Sequence, residues 1–406
     1  MRILCICQYY SPEPLKVTDV CQGLREQGHT VEVMTGYPNY PEGRFAEGYN
    51  PWRYMKEVHE GIILHRVPIF SRMKGKSWQM ALNYVSFAVT ALWPVFRLRR
   101  EHYDLIFVYQ LSPLTMAVPA VAYKWLTKTP ILMVVLDLWP ESIKATKAIS
   151  SPKLLAVIGK GCNLIYRSCD MILLSSAGFI NEFRKLGISE QKLRYWPQWA
   201  EEACSIEPVV PLARLPQGFI VMFAGNIGVA QSFATIISAS EILRDQPDIH
   251  WVFIGDGRMR EWAEDETIKR DLTECVHFFG RWPAADMPSF FAQADALLVT
   301  LKDEPAFALT LPAKVQSYLA CGKPLLASAG EGVRKVVEDA KAGLVCPPEN
   351  SDGLARIVLE LYLMEPEQRK RMGENGKQYY AANFSRKKLL SEIDSIMQQV
   401  AVGGPS

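Results

Sequence analysis

The sequence predicts an α/β protein made of two Rossmann-like domains in tandem, with a cleft where the two sheets face each other. Three observations carry that expectation. Short apolar runs alternate with helical stretches through the first half of the chain. A proline-rich stretch without periodicity, Glu202 to Gln217, interrupts the alternation. The same alternation then restarts. A chain of 406 residues is also too long for one ordinary core. The boundaries expected are 1–205 for the first domain and 206–385 for the second. Residues 386–406 form a closing helix able to cross back to the first domain.

Taken in order, Ile3–Tyr9 reads as the first strand, and Val17–Gln27 as a helix stopped by Gly28. Val31–Thr35, Leu105–Tyr109, Ile131–Leu136 and Met171–Leu174 are further strands, with helices at 77–100 and 113–126 between them. After the interruption, Phe219–Phe223, Trp251–Ile254, Val276–Phe279, Ala296–Val299 and Pro324–Leu326 read as strands. Ser232–Leu243, Ala284–Gln293, Pro312–Ala320, Asn350–Tyr380 and Arg386–Val400 read as helices, with 401–406 frayed. Strand–helix–strand order of this kind gives a mostly parallel, doubly wound sheet, and ligands then bind beyond the carboxyl ends of the strands.

Composition narrows the function. Hydrophobic residues are 49% and charged residues 22%, which is globular rather than disordered. A net charge of +2 argues against a general nucleic-acid binder. The nine cysteines are scattered, with no Cys-x-x-Cys pair, and read as reduced thiols of a cytoplasmic protein. "MRILCICQYY" is strand-like, not a secretory leader. Of the histidines, His29, His65, His102, His250 and His277 are expected in or beside strands and His59 before a glycine turn. None makes a close metal-binding pair, so no metal is expected.

Ser77–Phe96 holds no charged residue over its length and is flanked by Arg72, Lys74 and Lys76 before and Arg97, Arg99 and Arg100 after. Gln79, Asn83, Ser86 and Thr90 dilute it, and Pro94 interrupts it. A core helix, a helix lying on an anionic membrane surface and a membrane span all fit this pattern.

Several stretches carry chemistry. "FAGNIGVAQSF" is a strand, a turn holding Gly225, Asn226, Gly228 and Gln231, then a helix. Backbone N–H groups at such a helix start, and glycines that permit close approach, suit a phosphate. "FIGDGR", with Gly255, repeats the strand–glycine–helix pattern. Neither turn is a dinucleotide fingerprint, and no P-loop motif is present. In "LTLPAKVQSYLACGKPLLAS" Lys314 falls in a first helical turn, where the helix dipole disfavours a cation unless an anion binds nearby. Thr310, Gln316 and Ser317 accompany it. In "VVLDLWPES" a buried strand ends in Asp137, Trp139 and Glu141, more chemistry than a turn needs. Glu13 in "SPEP" lies in the corresponding place after the first strand.

These stretches resemble, nearly end to end and in the same order, the family 4 glycosyltransferases. Their fold is GT-B, two facing Rossmann-like domains around a cleft. "YLACGKPLLAS" looks like the EAxAxGxPVIA segment of that family. "MRILCICQYYSPE", "YPNYPEG", "DLWPES", "GNIGVAQ" and "LPAKVQSYLACGKP" are similar to its WbuB-like branch, which acts in O-antigen and capsule assembly as N-acetyl-L-fucosamine transferases. The resemblance implies a UDP-sugar as co-substrate, with no further cofactor and no metal. The donor would use Gly225, Asn226, Gly228, Gln231, Gly255, Thr310, Lys314, Gln316 and Ser317. The acceptor, a sugar such as GlcNAc on a polyprenyl diphosphate, would use Tyr37, Asn39, Tyr40 and Trp139. Asp137, Glu141 and Glu13 are the catalytic candidates, Asp137 first, as acceptor of the hydroxyl proton. The enzyme would work in the cytoplasm, peripherally bound to the inner membrane through 72–100.

The sequence also departs from the family. The positions of the family's two glutamates fall on Leu309 and Ser317. The usual arginine and lysine after the first strand of the nucleotide domain are replaced by Asn226 and Gln231, and the usual proline-asparagine before the linker reads Pro197-Gln198. A catalytically silent GT-B partner in polysaccharide assembly, or a transferase using UDP-GlcNAc or UDP-glucose, therefore stay open as alternatives.

Overall fold

In the computed structural model, all residues are described except 41, 74–75, 146–148, 150, 201–211 and 404–406. The expected linker at 202–217 thus falls largely outside the described residues. The chain divides into two compact units, Met1–Trp196 with Leu390–Ser406, and Pro197–Leu389. The division falls at Trp196, not after residue 205, and the return to the first unit is at Leu390 rather than at 386.

The first unit is built on an eight-stranded sheet. Its strands are β1 (Arg2–Ile6), β2 (Thr30–Gly36), β3 (Met55–His59), β4 (Ile62–Val67), β5 (Leu105–Gln110), β6 (Ile131–Val135), β7 (Met171–Leu174) and β8 (Leu193–Tyr195). Their order is β3-β4-β2-β1-β5-β6-β7-β8, parallel except for β3 against β4. The apolar runs of β5 and β6 are buried along their whole length, as parallel strands covered on both faces must be. The second unit carries β9 (Phe219–Ala224), β10 (Ile249–Ile254), β11 (Val276–Gly280), β12 (Ala296–Thr300), β13 (Leu325–Ser328) and β14 (Gly343–Cys346), all parallel, in the order β11-β10-β9-β12-β13-β14. Strand order reverses at β1/β5 in one sheet and at β9/β12 in the other. Crevices for ligands open at such points.

Four strands lie outside the sequence expectation: β3, β4, β8 and β14. β3 is an edge strand whose residues are only partly covered. β4 carries His65 and Arg66, both buried, which hides its apolar pattern. They are tolerated because His65 bonds Glu32 at 2.8 Å and Arg66 pairs with Glu57. β8 and β14 are too short to show a period. The helix expected at 350–380 is two helices, Ser351–Leu363 and Pro366–Asn383, because Pro366 starts a new one. The last helix, Arg386–Gly403, stays regular past Val400. From Leu390 it belongs to the first unit. Leu390 packs on Gly23, where a Cβ would sit 2.5 Å from its side chain, and Asp394 bonds His29 at 2.8 Å.

The uncharged segment forms two helices, Ser77–Thr90 and Leu92–Leu98, broken only at Ala91. Pro94 falls in the first turn of the second helix, where its missing N–H costs nothing. Trp78–Leu98 is long and apolar enough to cross a membrane, yet 44% of its apolar window is buried in the fold. Its polar residues point inward. Asn83 is fully buried, its carboxamide oxygen accepting from Gln8 and from the Tyr9 hydroxyl, each at 2.7 Å. The Ser86 hydroxyl accepts from Phe70 N at 3.0 Å, and the Thr90 hydroxyl donates to the Pro68 carbonyl at 2.6 Å.

Candidate functional site

In the second unit, β9 delivers the chain into a turn at Gly225 whose φ is +129°, left-handed territory that suits glycine. The neighbouring turn after β10 passes so close that a Cβ on Gly255 would stand 1.8 Å from the Gly225 carbonyl oxygen. Backbone bonds lace the two turns together: Gly225 N to Ile254 O at 2.8 Å, Ile227 N to Asp256 O at 2.9 Å, and Met259 N to Ile227 O at 2.9 Å. At the far side, the Thr300 hydroxyl at the end of β12 donates to the Gln231 carbonyl. The glycine turn therefore sits at the β9/β12 reversal point.

Lys314 reaches into this turn from the helix Ala313–Cys321. Its Nζ lies 3.6 Å from the centroid of the Phe223 ring, 3.3 Å from Gln231 Oε1 and 3.3 Å from where a Gly225 Cβ would be. No carboxylate among the described residues pairs with it. The residue keeps partial surface, but loss of water around the amine lowers its pKa to about 7. A cation held on an aromatic face, short of an anion and beside a glycine turn, fits a phosphate group.

The other donor candidates divide. Asn226 is exposed at the turn and Gly228 opens the short helix Val229–Gln231. Thr310 donates its hydroxyl to Ala306 O at 2.7 Å, and Ser317 to Ala313 O at 3.4 Å. Gln316 is buried, with its amide nitrogen donating to the Pro312 and Ala313 carbonyls at 2.9 and 3.0 Å. These three side chains are engaged with nearby backbone.

In the first unit, Asp137 follows β6 beside the β1/β5 reversal. The Gln110 amide donates to its backbone carbonyl at 3.0 Å, while its carboxylate has no hydrogen-bond partner among the described residues. Burial pushes that carboxyl up to about 6, although the residue keeps some exposure. Trp139 is half-buried, and its indole N–H has no partner. Glu141 starts the short helix Glu141–Ala145 and is paired with Lys144 at 3.2 Å.

Glu13 is a tie rather than a free acid. It is 5% exposed, and its carboxylate accepts from the backbone N–H groups of Asn39 at 2.7 Å, Tyr40 at 2.6 Å and Tyr10 at 3.1 Å. Burial drives its pKa up to about 7 against the pull of those N–H groups and Arg66. It fixes the 37–40 loop. Tyr37 and Asn39 are buried in that loop, the Tyr37 hydroxyl donating to Arg53 O at 2.6 Å and Asn39 to Tyr37 O at 2.9 Å. Tyr40 is exposed, and borders a cavity of about 380 Å³ that Glu13, Arg44 and Phe45 also line.

Sequence reasoning passed over Arg72 as a site residue. Its guanidinium lies over the rings of Tyr40 and Tyr9, 5.0 and 5.6 Å from their centroids. Its backbone N–H bonds Asn39 at 3.1 Å. Tyr84, its hydroxyl pKa raised by burial, lies within electrostatic reach of both Arg72 and Asp137. So Asp137, Tyr84, Arg72, Tyr40 and Tyr9 share one neighbourhood. The available signal was Arg72 standing just ahead of an acid-free helix. Also unanticipated are Gln8 and Gln110, fully buried at the ends of β1 and β5, whose amide oxygens have no partner. Among the described residues, no group of three or more His, Cys, Asp or Glu is placed to hold a metal.

The first unit thus offers a buried acid beside the reversal of its strand order, and the second a lysine beside a glycine turn at the reversal of its own. Comparison with known proteins decides the family. Residues 16–199 match the model of the glycosyl transferase 4-like domain, and residues 212–379 match that of glycosyl transferases group 1. The chain belongs to the GT-B glycosyltransferases. It is 25% identical over 389 residues to the putative colanic acid biosynthesis glycosyl transferase WcaI of Escherichia coli, covering 90% of this chain and 93% of that protein. The probable glycosyltransferase WbjE of Pseudomonas aeruginosa is 25% identical over 60% of each chain. The fold matches HepE of Anabaena, solved in complex with UDP, with a TM-score of 0.70 at 14% identity, over 98% of this chain and 100% of that one. This glycosyltransferase therefore has the two α/β domains expected, while the WbuB-like branch within the family stays a matter of resemblance.

Proposed function

We propose that the enzyme moves a sugar, N-acetyl-L-fucosamine as first choice, from a UDP-sugar bound by the second unit to a polyprenyl-diphosphate-linked GlcNAc bound by the first. Its place would be polysaccharide or O-antigen assembly at the cytoplasmic face of the inner membrane. The observation that carries the donor assignment is Lys314, an amine beside the Gly225 turn with no carboxylate partner among the described residues. A nucleoside diphosphate would return the charge that burial removes. The structural neighbour HepE holds UDP, and WcaI is named for colanic acid synthesis; both support the reading.

In the transfer, the acceptor hydroxyl oxygen bonds to the anomeric carbon as the bond from that carbon to the UDP oxygen breaks. Asp137 takes the hydroxyl proton. Its carboxyl at about 6 is ionised at neutral pH yet basic enough to accept. Lys314 meets the negative charge that gathers on the departing diphosphate. Tyr40 and Trp139 offer ring faces to the acceptor sugar, and Arg72 a guanidinium to the acceptor's own diphosphate. No metal or further cofactor is assigned a role.

The test is UDP release from a panel of UDP-sugars, with and without a GlcNAc-diphospho-lipid. Release that needs one donor and the lipid together is expected. Equal release with a free sugar acceptor would overturn the lipid-linked assignment, and preference for UDP-GlcNAc or UDP-glucose would replace the donor.

A further inference from the structure

The helices of residues 77–98 are apolar on their outer as well as their inner side. Gln79, Asn83, Ser86 and Thr90 turn toward the protein. Trp78, Leu82, Val85, Val89, Trp93 and Phe96, spaced at helical period, are 37–60% exposed and face outward. Packing inside the unit takes up those polar residues together with Phe87, Ala88, Ala91 and Val95, and still leaves a further apolar face bare, which a soluble surface helix does not show. A second helix also leaves apolar residues bare. Pro152–Ser168 exposes Leu154, Val157 and Leu164, and between the two lies Val118–Thr127, which exposes Trp125 by 80%. The helix Leu92–Leu98 packs on Val118–Thr127, which in turn packs on Pro152–Ser168. So these bare apolar residues belong to one helical layer.

Charge says what covers them. The whole chain is nearly balanced, with 45 basic and 43 acidic residues. Yet Ser77–Thr90, Leu92–Leu98, Val118–Thr127 and Pro152–Ser168 hold no aspartate or glutamate. They carry Arg97, Lys124, Lys153, Lys160 and Arg167, with Lys76, Arg99, Arg100 and Lys128 at their ends. Some are tethered, as Arg97 is over Trp93 at 5.2 Å and Lys124 to Asp170 at 2.6 Å. An apolar face on acid-free helices with a mainly cationic rim, the nearby acids Glu101 and Asp170 being paired with Arg2 and Lys124, complements a bilayer bearing anionic lipid, its apolar residues entering the acyl boundary and its cations meeting headgroups.

We propose that these helices form a single docking face that seats the first unit on an anionic membrane, with Pro152–Ser168 as necessary to it as the uncharged segment. The inference rests on the lipid-linked acceptor only for its purpose, since the seat itself is measured without donor or acceptor. Asp137 and Trp139 lie in the segment that leads into Pro152–Ser168, which ties the acceptor residues to the docking face along the chain.

The experiment is flotation of the full chain with phosphatidylglycerol–phosphatidylcholine vesicles and with neutral phosphatidylcholine vesicles. Wild type should bind the anionic vesicles and be released by salt. Val85→Glu with Val89→Glu, and separately Val157→Glu with Leu164→Glu, should each weaken binding by about tenfold or more. Because these residues are exposed, both variants should keep the wild-type affinity for UDP and transfer to a short-chain acceptor, which shows folding and separates failure of the seat from failure of the proposed reaction. Full vesicle binding by the second variant would overturn the two-helix face. Absence of vesicle binding in wild type, with a dimer that the same substitutions dissociate, would assign the face to a second copy of the chain and overturn the membrane.

Discussion

The lysine in the glycine turn makes a quantitative prediction. Burial lowers Lys314 to about 7, so at neutral pH the free enzyme has that amine about half protonated. If the diphosphate binds the ammonium, apparent affinity follows the protonated fraction. That fraction falls from about one half at pH 7 to about one tenth at pH 8, and by about tenfold for each unit beyond. Affinity for UDP should therefore drop about fivefold between those two values and continue downward. Arginine stays charged throughout, so Lys314→Arg should bind UDP with no such decline. Lys314→Ala should bind weakly and equally at each pH. Isothermal titration of UDP against the three proteins across that range gives the answer. A wild-type curve parallel to that of Lys314→Arg, or a Lys314→Ala affinity equal to wild type, would refute the argument.

Further outcomes follow from other groups. Asp137→Asn should lower turnover by about a hundredfold while sparing UDP affinity, and the wild-type rate should rise as pH climbs through about 6. Because the folded carboxyl titrates above its unfolded value, stability is lost as pH rises through that window. Asp137→Asn should therefore be at least as stable as wild type at neutral pH in urea unfolding. Asn83→Leu should destabilise the fold by about 2 kcal/mol, since it removes the buried acceptor that the Gln8 amide and the Tyr9 hydroxyl share. Gly255→Ala should cost about as much and abolish UDP binding, because its Cβ would collide with the Gly225 carbonyl. Arg72→Ala should raise the KM for a diphosphate-linked acceptor without changing that for the donor.

Much of the architecture was legible because parallel strands announce themselves. β5, β6 and β9 are unbroken apolar runs, and glycines or prolines mark where they end. β4 was hidden by His65 and Arg66, whose burial depends on Glu32 and Glu57 from other strands, and no local pattern records such partners. The glycine turn and Lys314 were legible as a pair, since an anion explained a cation in a first helical turn. Thr310, Gln316 and Ser317 show the limit. Sequence proximity grouped them with Lys314, but each side chain bonds nearby backbone, which depends on rotamers. Arg72 was missed for the opposite reason: its ring partners Tyr9 and Tyr40 come from distant parts of the chain. The polar residues read as diluting an apolar segment proved to be its inner face. Their spacing already held that information, but which face turns inward is decided by Gln8, Tyr9 and Phe70.

The most direct test of the central claim is UDP release by the purified enzyme, given candidate UDP-sugars with and without a GlcNAc-diphospho-lipid. The account predicts release only when one donor and the lipid are both present, and its loss in Asp137→Asn. UDP binding without release for any donor and lipid pair would contradict it.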